Sequence, residues 1–219
     1  MGFADLPPGQ HAKEMRDHWW WRPGWQVGQR ALTWHLTFEG QTAFHRLVEG
    51  YQRVLARFPG LEPVPVSWLH LTMQGIGFTS GVAPADVARI ETAVRERLAV
   101  LSVPTPTFGQ VVVADEAVVL PPDEEGEKAI RAVRAAIRSG IGSVWGVDGV
   151  PENSSHYRPH VSIAYSNRTQ DAAPVVEAIT VAGEQSVRLD VPTASLIELH
   201  RDRRVYEWEV VAEVPIGHA

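Results

Sequence analysis

The strings His70-Leu71-Thr72-Met73 and His160-Val161-Ser162-Ile163 constrain this chain more than any other part of its 219 residues. Each sets a histidine two places before a hydroxyl, with apolar residues between and after. An extended strand points residues i and i+2 to one face. His70 and Thr72 therefore share a face, while Leu69, Leu71 and Met73 share the other. His160 and Ser162 repeat the arrangement against Val161 and Ile163. The pattern predicts two strands, each with an apolar back on a core and a His/hydroxyl front. Taken singly, either string also describes a polar pair on the solvent face of an ordinary strand. Two of them, 160 − 70 = 90 residues apart, suit a two-histidine acid–base site acting on a phosphate.

Composition narrows the classes that such a site can belong to. There is no cysteine, which excludes disulfides, thiolate nucleophiles and zinc–thiolate centres. The net charge is −6, and the basic residues are scattered. Arg201, Arg203 and Arg204 form the only dense basic cluster, with Asp202 inside it. Proteins that grip long nucleic acid carry a basic stripe, because phosphate neutralisation supplies most of the affinity. If the chain acts on nucleic acid, it is expected to read a terminus, a short oligomer or a nucleotide. No apolar run approaches the roughly 18 residues a membrane span needs, and no secretion signal is evident. The chain is expected to be cytoplasmic, off the membrane and monomeric. Asn153 and Asn167 fall in N-x-S/T triplets, which in that compartment are chance matches.

Periodicity outlines the elements. Residues 1–30 hold Trp19, Trp20, Trp21 and Trp25 among prolines and glycines, and predict an irregular arm packed on the rest through its tryptophans. Residues 31–219 read as one domain. Ala31–Phe38 alternates as a half-buried strand. Phe44 to Phe58 recurs at helical spacing until Pro59-Gly60 stops it. A strand over Ser67–Gln74, a helix from near Pro84, strands at about 106–114 and 117–120, and a helix from about Asp123 to Ser139 follow. A Gly/Ser/Asn loop is expected over 140–157. Strand 160–165, a short helix around 173–180 and strands near 186–191, 194–200 and 205–213 close the chain. Helix, His-x-hydroxyl strand and helix recur in both halves, which suggests two lobes with one motif each. Hairpin-like connections argue for α+β architecture with mainly antiparallel sheets.

The segments "LHLTMQGIGF" and "YRPHVSIAYS", in this order and context, resemble the 2H phosphoesterase superfamily, especially its bacterial RNA 2′,3′-cyclic phosphodiesterase and 2′-5′ RNA ligase-like branch. The closing "SLIELHRDRRVYEWEVVAEVPI" looks like that family's last hairpin. The resemblance implies a bilobal fold, two mainly antiparallel sheets with outer helices around a central groove. It also implies a metal-independent phosphodiesterase without cofactors that hydrolyses 2′,3′-cyclic or 2′-5′-linked nucleotides or RNA ends, with ligation as the reverse direction. By this analogy His70 and His160 are catalytic, His70 as proton donor and His160 as acceptor. Thr72 and Ser162 would bind the phosphate.

Three further residues are candidates for substrate contact. His35, in His35-Leu36-Thr37-Phe38, forms a third copy of the motif on the first strand. Gln74 continues the parity of His70 and Thr72. Arg158 has the parity of His160, although Pro159 intervenes. Tyr165 falls on the apolar side of its strand and reads as core. His11, His18, His45, His156 and His218 have no spacing that argues for a metal site. Two other functions fit the same residues: a nucleotide- or RNA-end-binding module without turnover, and the same chemistry on a cyclic dinucleotide or metabolite phosphodiester.

Overall fold

A computed structural model describes residues 3–152, 157–183 and 185–217. After a short pairing segment β1 (Glu14–Met15), strand β2 (Ala31–Thr37) leads to helix α1 (Thr42–Leu55). The helix buries Phe44, Leu47, Val48, Tyr51 and Leu55, a single apolar stripe. β3 (Leu61–Pro63) and a 3-10 turn (Val66–Trp68) precede β4 (His70–Phe78). Helix α2 (Pro84–Leu98) opens on proline, whose missing N–H would have no helical partner there. β5 (Thr107–Phe108), β6 (Val112–Val113) and β7 (Ala117–Leu120) lead to α3 (Glu124–Trp145). Asp123 caps α3 by accepting the Gly126 N–H at 3.0 Å. Then come β8 (Val161–Ser166), β9 (Gln170–Asp171), α4 (Ala173–Ala182), β10 (Val187–Arg188), β11 (Thr193–His200) and β12 (Glu207–Pro215).

The strands form two four-stranded antiparallel sheets, β12-β11-β2-β4 and β3-β8-β7-β6, and two short pairs, β1-β9 and β5-β10. This is the expected α+β, bilobal arrangement, with one motif strand in each sheet. Helices α2 and α3 lie on the β4 side, and α1 and α4 on the β8 side. Each motif strand is thus backed by the helix that precedes the other motif.

Boundaries differ from the sequence reading in several places. The strand expected at 106–114 is broken into β5 and β6, the one near 186–191 shrinks to β10, and the short strands β1, β3 and β9 have no counterpart in that reading. β4 begins at His70, after the 3-10 turn, and runs on to Phe78. Helix α3 continues through Gly140 and Gly142 to Trp145 instead of ending at Ser139. Gly140 is not a loop signal here. A Cβ on it would come within 2.5 Å of Val94 Cγ2, so the glycine lets α2 and α3 approach closely. Asn153 and His156, in the expected loop, and His218 lie outside the described residues.

The N-terminal arm is held mostly by residues other than its tryptophans. Phe3, Leu6, Met15 and Trp19 are buried, whereas Trp20 and Trp21 are about half exposed. Trp25 packs edge-on against Phe78 at 5.2 Å. Gly24 turns beside it with φ +82, and a Cβ there would meet the Phe78 ring at 2.6 Å.

Candidate active site

His70 and Thr72 on β4, and His160 and Ser162 at the start of β8, line one cavity of about 780 Å³ between the two sheets. Apolar backs anchor both strands: Leu69, Leu71 and Met73 on one, Val161 and Ile163 on the other, are each at most 1% exposed. The fronts are open, and Thr72 is exposed.

The two histidines are held alike. His70 Nδ1 donates to the Trp68 carbonyl at 2.8 Å, and His160 Nδ1 donates to the Arg158 carbonyl at 2.9 Å. A carbonyl can only accept, so Nδ1 carries the proton in both rings. The neutral imidazoles therefore offer an unprotonated Nε2 to a substrate. Burial lowers the pKa of both. His70 falls to about 4, with the nearby charge of His160 adding to the effect. For His160 burial is again the main cause, and the Arg158 charge contributes.

Both motif strands contain a bulge immediately after the hydroxyl. In β4, His35 pairs with Thr72 and Trp34 with Gln74, leaving Met73 without an opposite residue. In β8, Val119 pairs with Ser162 and Val118 with Ala164, leaving Ile163 over. A bulge inserts one residue and shifts the alternation beyond it. This overturns one expectation and extends another. Gln74 does not reach the groove; it is fully buried opposite Trp34, where Arg138 donates to its Oε1 at 2.6 Å. Tyr165 is buried in the core as expected, and its ring also reaches the cavity wall, where it stacks on His18 at 4.0 Å.

The helices pin these bulges. Arg134 on α3 donates from Nε to the Met73 carbonyl at 2.6 Å, and Tyr157 Oη donates to the Thr72 carbonyl at 3.1 Å. Gln52 on α1 donates to the Ile163 carbonyl at 2.9 Å.

Arg158 also lies away from the cavity wall. Its guanidinium donates to the Phe3 and Leu6 carbonyls at 3.3 and 2.8 Å and stacks on the Phe3 ring at 4.2 Å. It fastens the arm, and the arm in turn places Phe3 edge-on to His160 at 4.9 Å. His35 does reach the site: it lines the cavity and stacks on His70, with ring centroids 4.5 Å apart.

His18, Glu116 and Tyr206 also line the cavity, with Trp208 close behind, and none of them had a sequence signal. His18, from the aperiodic arm, lies 3.4 Å from Glu116 and 3.0 Å from the Tyr206 hydroxyl. Burial opposes the ionised form of Glu116. Hydrogen bonds from His18 and Trp20 and the charge of Arg22 outweigh that and bring its pKa to about 2. Trp208 on β12 stands edge-on to both His35 and His70. Among the described residues no three His, Cys, Asp or Glu side chains are gathered to hold a metal ion. Nor is any helix there long and apolar enough to cross a membrane.

The profile of the 2′-5′ RNA ligase superfamily matches residues 41–203, a span that includes both motif strands. The chain belongs to this superfamily of 2H phosphoesterases. Solved structures share its fold. The TT0787 protein of Thermus thermophilus superposes with a TM-score of 0.61 at 17% identity, covering 85% of this chain and 97% of that one. E. coli LigT in its apo form gives 0.58 at 14% identity, covering 87% and 99%. LigT complexed with 3′-AMP gives 0.59 at 14%, covering 86% and 98%. No curated protein matches the chain in sequence.

Proposed function

We propose that this cavity is the active site of a metal-independent phosphodiesterase that opens 2′,3′-cyclic phosphates, or cleaves 2′-5′ linkages, in nucleotides or at RNA ends. The reading rests chiefly on the matched pair of imidazoles, each held by an i−2 carbonyl, on strands of two sheets facing one cavity. Superfamily membership and the 3′-AMP seen with E. coli LigT support it.

The chemistry needs one base and one acid. The Nε2 of His160 takes a proton from water as its oxygen attacks phosphorus. The protonated Nε2 of His70 gives its proton to the departing ribose oxygen, and the P–O bond of the ring breaks. Thr72 and Ser162 donate hydrogen bonds to the non-bridging oxygens, where negative charge builds. Burial and the charge of His160 disfavour a proton on His70, so His70 takes up its proton for the acid role when the anionic phosphate sits between the rings and supplies the opposite charge. In ligation a ribose 5′-hydroxyl replaces water: its proton goes to His160, a P–O5′ bond forms, and the ring P–O bond breaks as His70 protonates the departing oxygen.

A panel of 2′,3′-cyclic mononucleotides, 2′-5′ dinucleotides and cyclic-phosphate RNA ends, assayed with EDTA, tests this. Turnover should survive the chelator. His70→Ala and His160→Ala should each lower kcat by about 10²–10⁴-fold, the usual contribution of a general acid or base. Thr72→Ala and Ser162→Ala should cost less. A folded double histidine variant with wild-type turnover would place the chemistry elsewhere.

A further inference from the structure

His35 is the third histidine of the cavity, and the phosphodiesterase reading leaves it without a role. It sits on β2 directly opposite Thr72, while Thr37 sits opposite His70. Two His-x-Thr strings run antiparallel and form a checkerboard on one sheet face. Residues directly opposite in such a pair touch. Here the contact is specific: His35 Nε2 lies 3.4 Å from Thr72 Oγ1. The His35 and His70 rings are parallel within 4° at 4.5 Å. Trp208 closes the edge of this stack.

The surroundings settle where the proton of His35 resides. The residue is 1% exposed, and its Nδ1 is buried without a partner. Burial, with the neighbouring His70, keeps the ring neutral, so it carries one N–H. On Nδ1 that N–H would be an orphaned buried donor, which folded proteins rarely keep. On Nε2 it meets the Thr72 oxygen. Thr72 then accepts from behind, and its own hydroxyl proton is free to point into the cavity.

Resting on the phosphodiesterase reading, we propose that His35 is a positioning residue. It donates Nε2–H to Thr72 and so commits the Thr72 hydroxyl to donate to a phosphate oxygen, while its ring fixes the plane of His70. It makes no bond to substrate.

A double-mutant cycle read on a 2′,3′-cyclic mononucleotide tests this. His35→Phe keeps a flat ring in the stack and removes the donor. It should lower kcat/KM about tenfold, the worth of one hydrogen bond. In a Thr72→Ala background the same change should cost almost nothing, because its target is gone. His35→Gln keeps an N–H near Nε2 and should fall less than the Phe variant. If His35→Phe does not fold, by circular dichroism, the smaller His35→Leu takes its place in the cycle. Wild-type kcat/KM in the Phe variant, or an equal loss with and without Thr72, would overturn the proposal. Turnover that persists in His70→Ala would instead defeat the reading of the site itself.

Discussion

At the scale of single residues, the site depends on imidazoles kept neutral by burial. His35 is the extreme case, with its pKa held well below the ordinary 6.5. Above that value the folded and unfolded states are both neutral at this group, and it adds no pH dependence. Below it, the unfolded chain binds a proton that the folded protein refuses, so stability falls as pH drops. The slope from this one residue approaches about 1.4 kcal/mol per pH unit. Melting temperature should therefore decline between pH 7 and pH 5, and His35→Gln should flatten that decline. Parallel profiles for the two proteins would show that His35 is protonated in the folded state.

At the scale of elements, the two bulges matter more than the strands that carry them. A regular β4 would have turned Gln74 to the cavity; the bulge sends it to the helix side, where Arg138 and the Pro151 carbonyl hold it. The Met73 carbonyl released by the bulge is satisfied by the buried Arg134, stacked on Tyr157 at 4.1 Å. Arg134→Met keeps the volume but leaves that carbonyl unpaired, at a cost of about 1–3 kcal/mol. It should also lower kcat, because Thr72 borders the bulge. Denaturant unfolding beside steady-state kinetics checks both effects. A variant that loses neither stability nor kcat would mean the bulge holds itself.

At the scale of the molecule, the two lobes are interwoven rather than consecutive. Helix α1 leaves one sheet and braces the other through Gln52, and α3 does the converse through Arg134. The arm adds a third tie. Trp19 Nε1 donates to Glu62 beside one sheet, Arg30 pairs with Asp202 beyond the other, and Arg201 holds the His18 and Trp20 carbonyls. Phe3 and Trp25 line the cavity on this arm. Deleting residues 1–26 should lower the melting temperature by several degrees, since Phe3, Leu6, Met15 and Trp19 lose their burial. It should also change the relative rates among cyclic mononucleotides, as two cavity walls leave with the arm. Unchanged stability and unchanged relative rates would reduce the arm to a loose appendage.

The sequence by itself determined the longer elements and the motif pair, but not the short strands β1, β3 and β9. Period-2 alternation placed His70 with Thr72 and His160 with Ser162, because side-chain direction in a strand follows from backbone geometry within a few residues. Helical spacing likewise located α1, α2 and α4 closely. Tertiary structure decided whatever broke that local rule. Bulges moved Gln74 out of the cavity and Tyr165 into it, and a bulge is a mismatch between two strands that neither strand records alone. Close helix packing turned Gly140 from an apparent breaker into a contact. Arg158 had the right parity but found the arm's carbonyls first. His18 and Tyr206 reached the cavity from distant segments, and only the folding of those segments against the two sheets could bring them there.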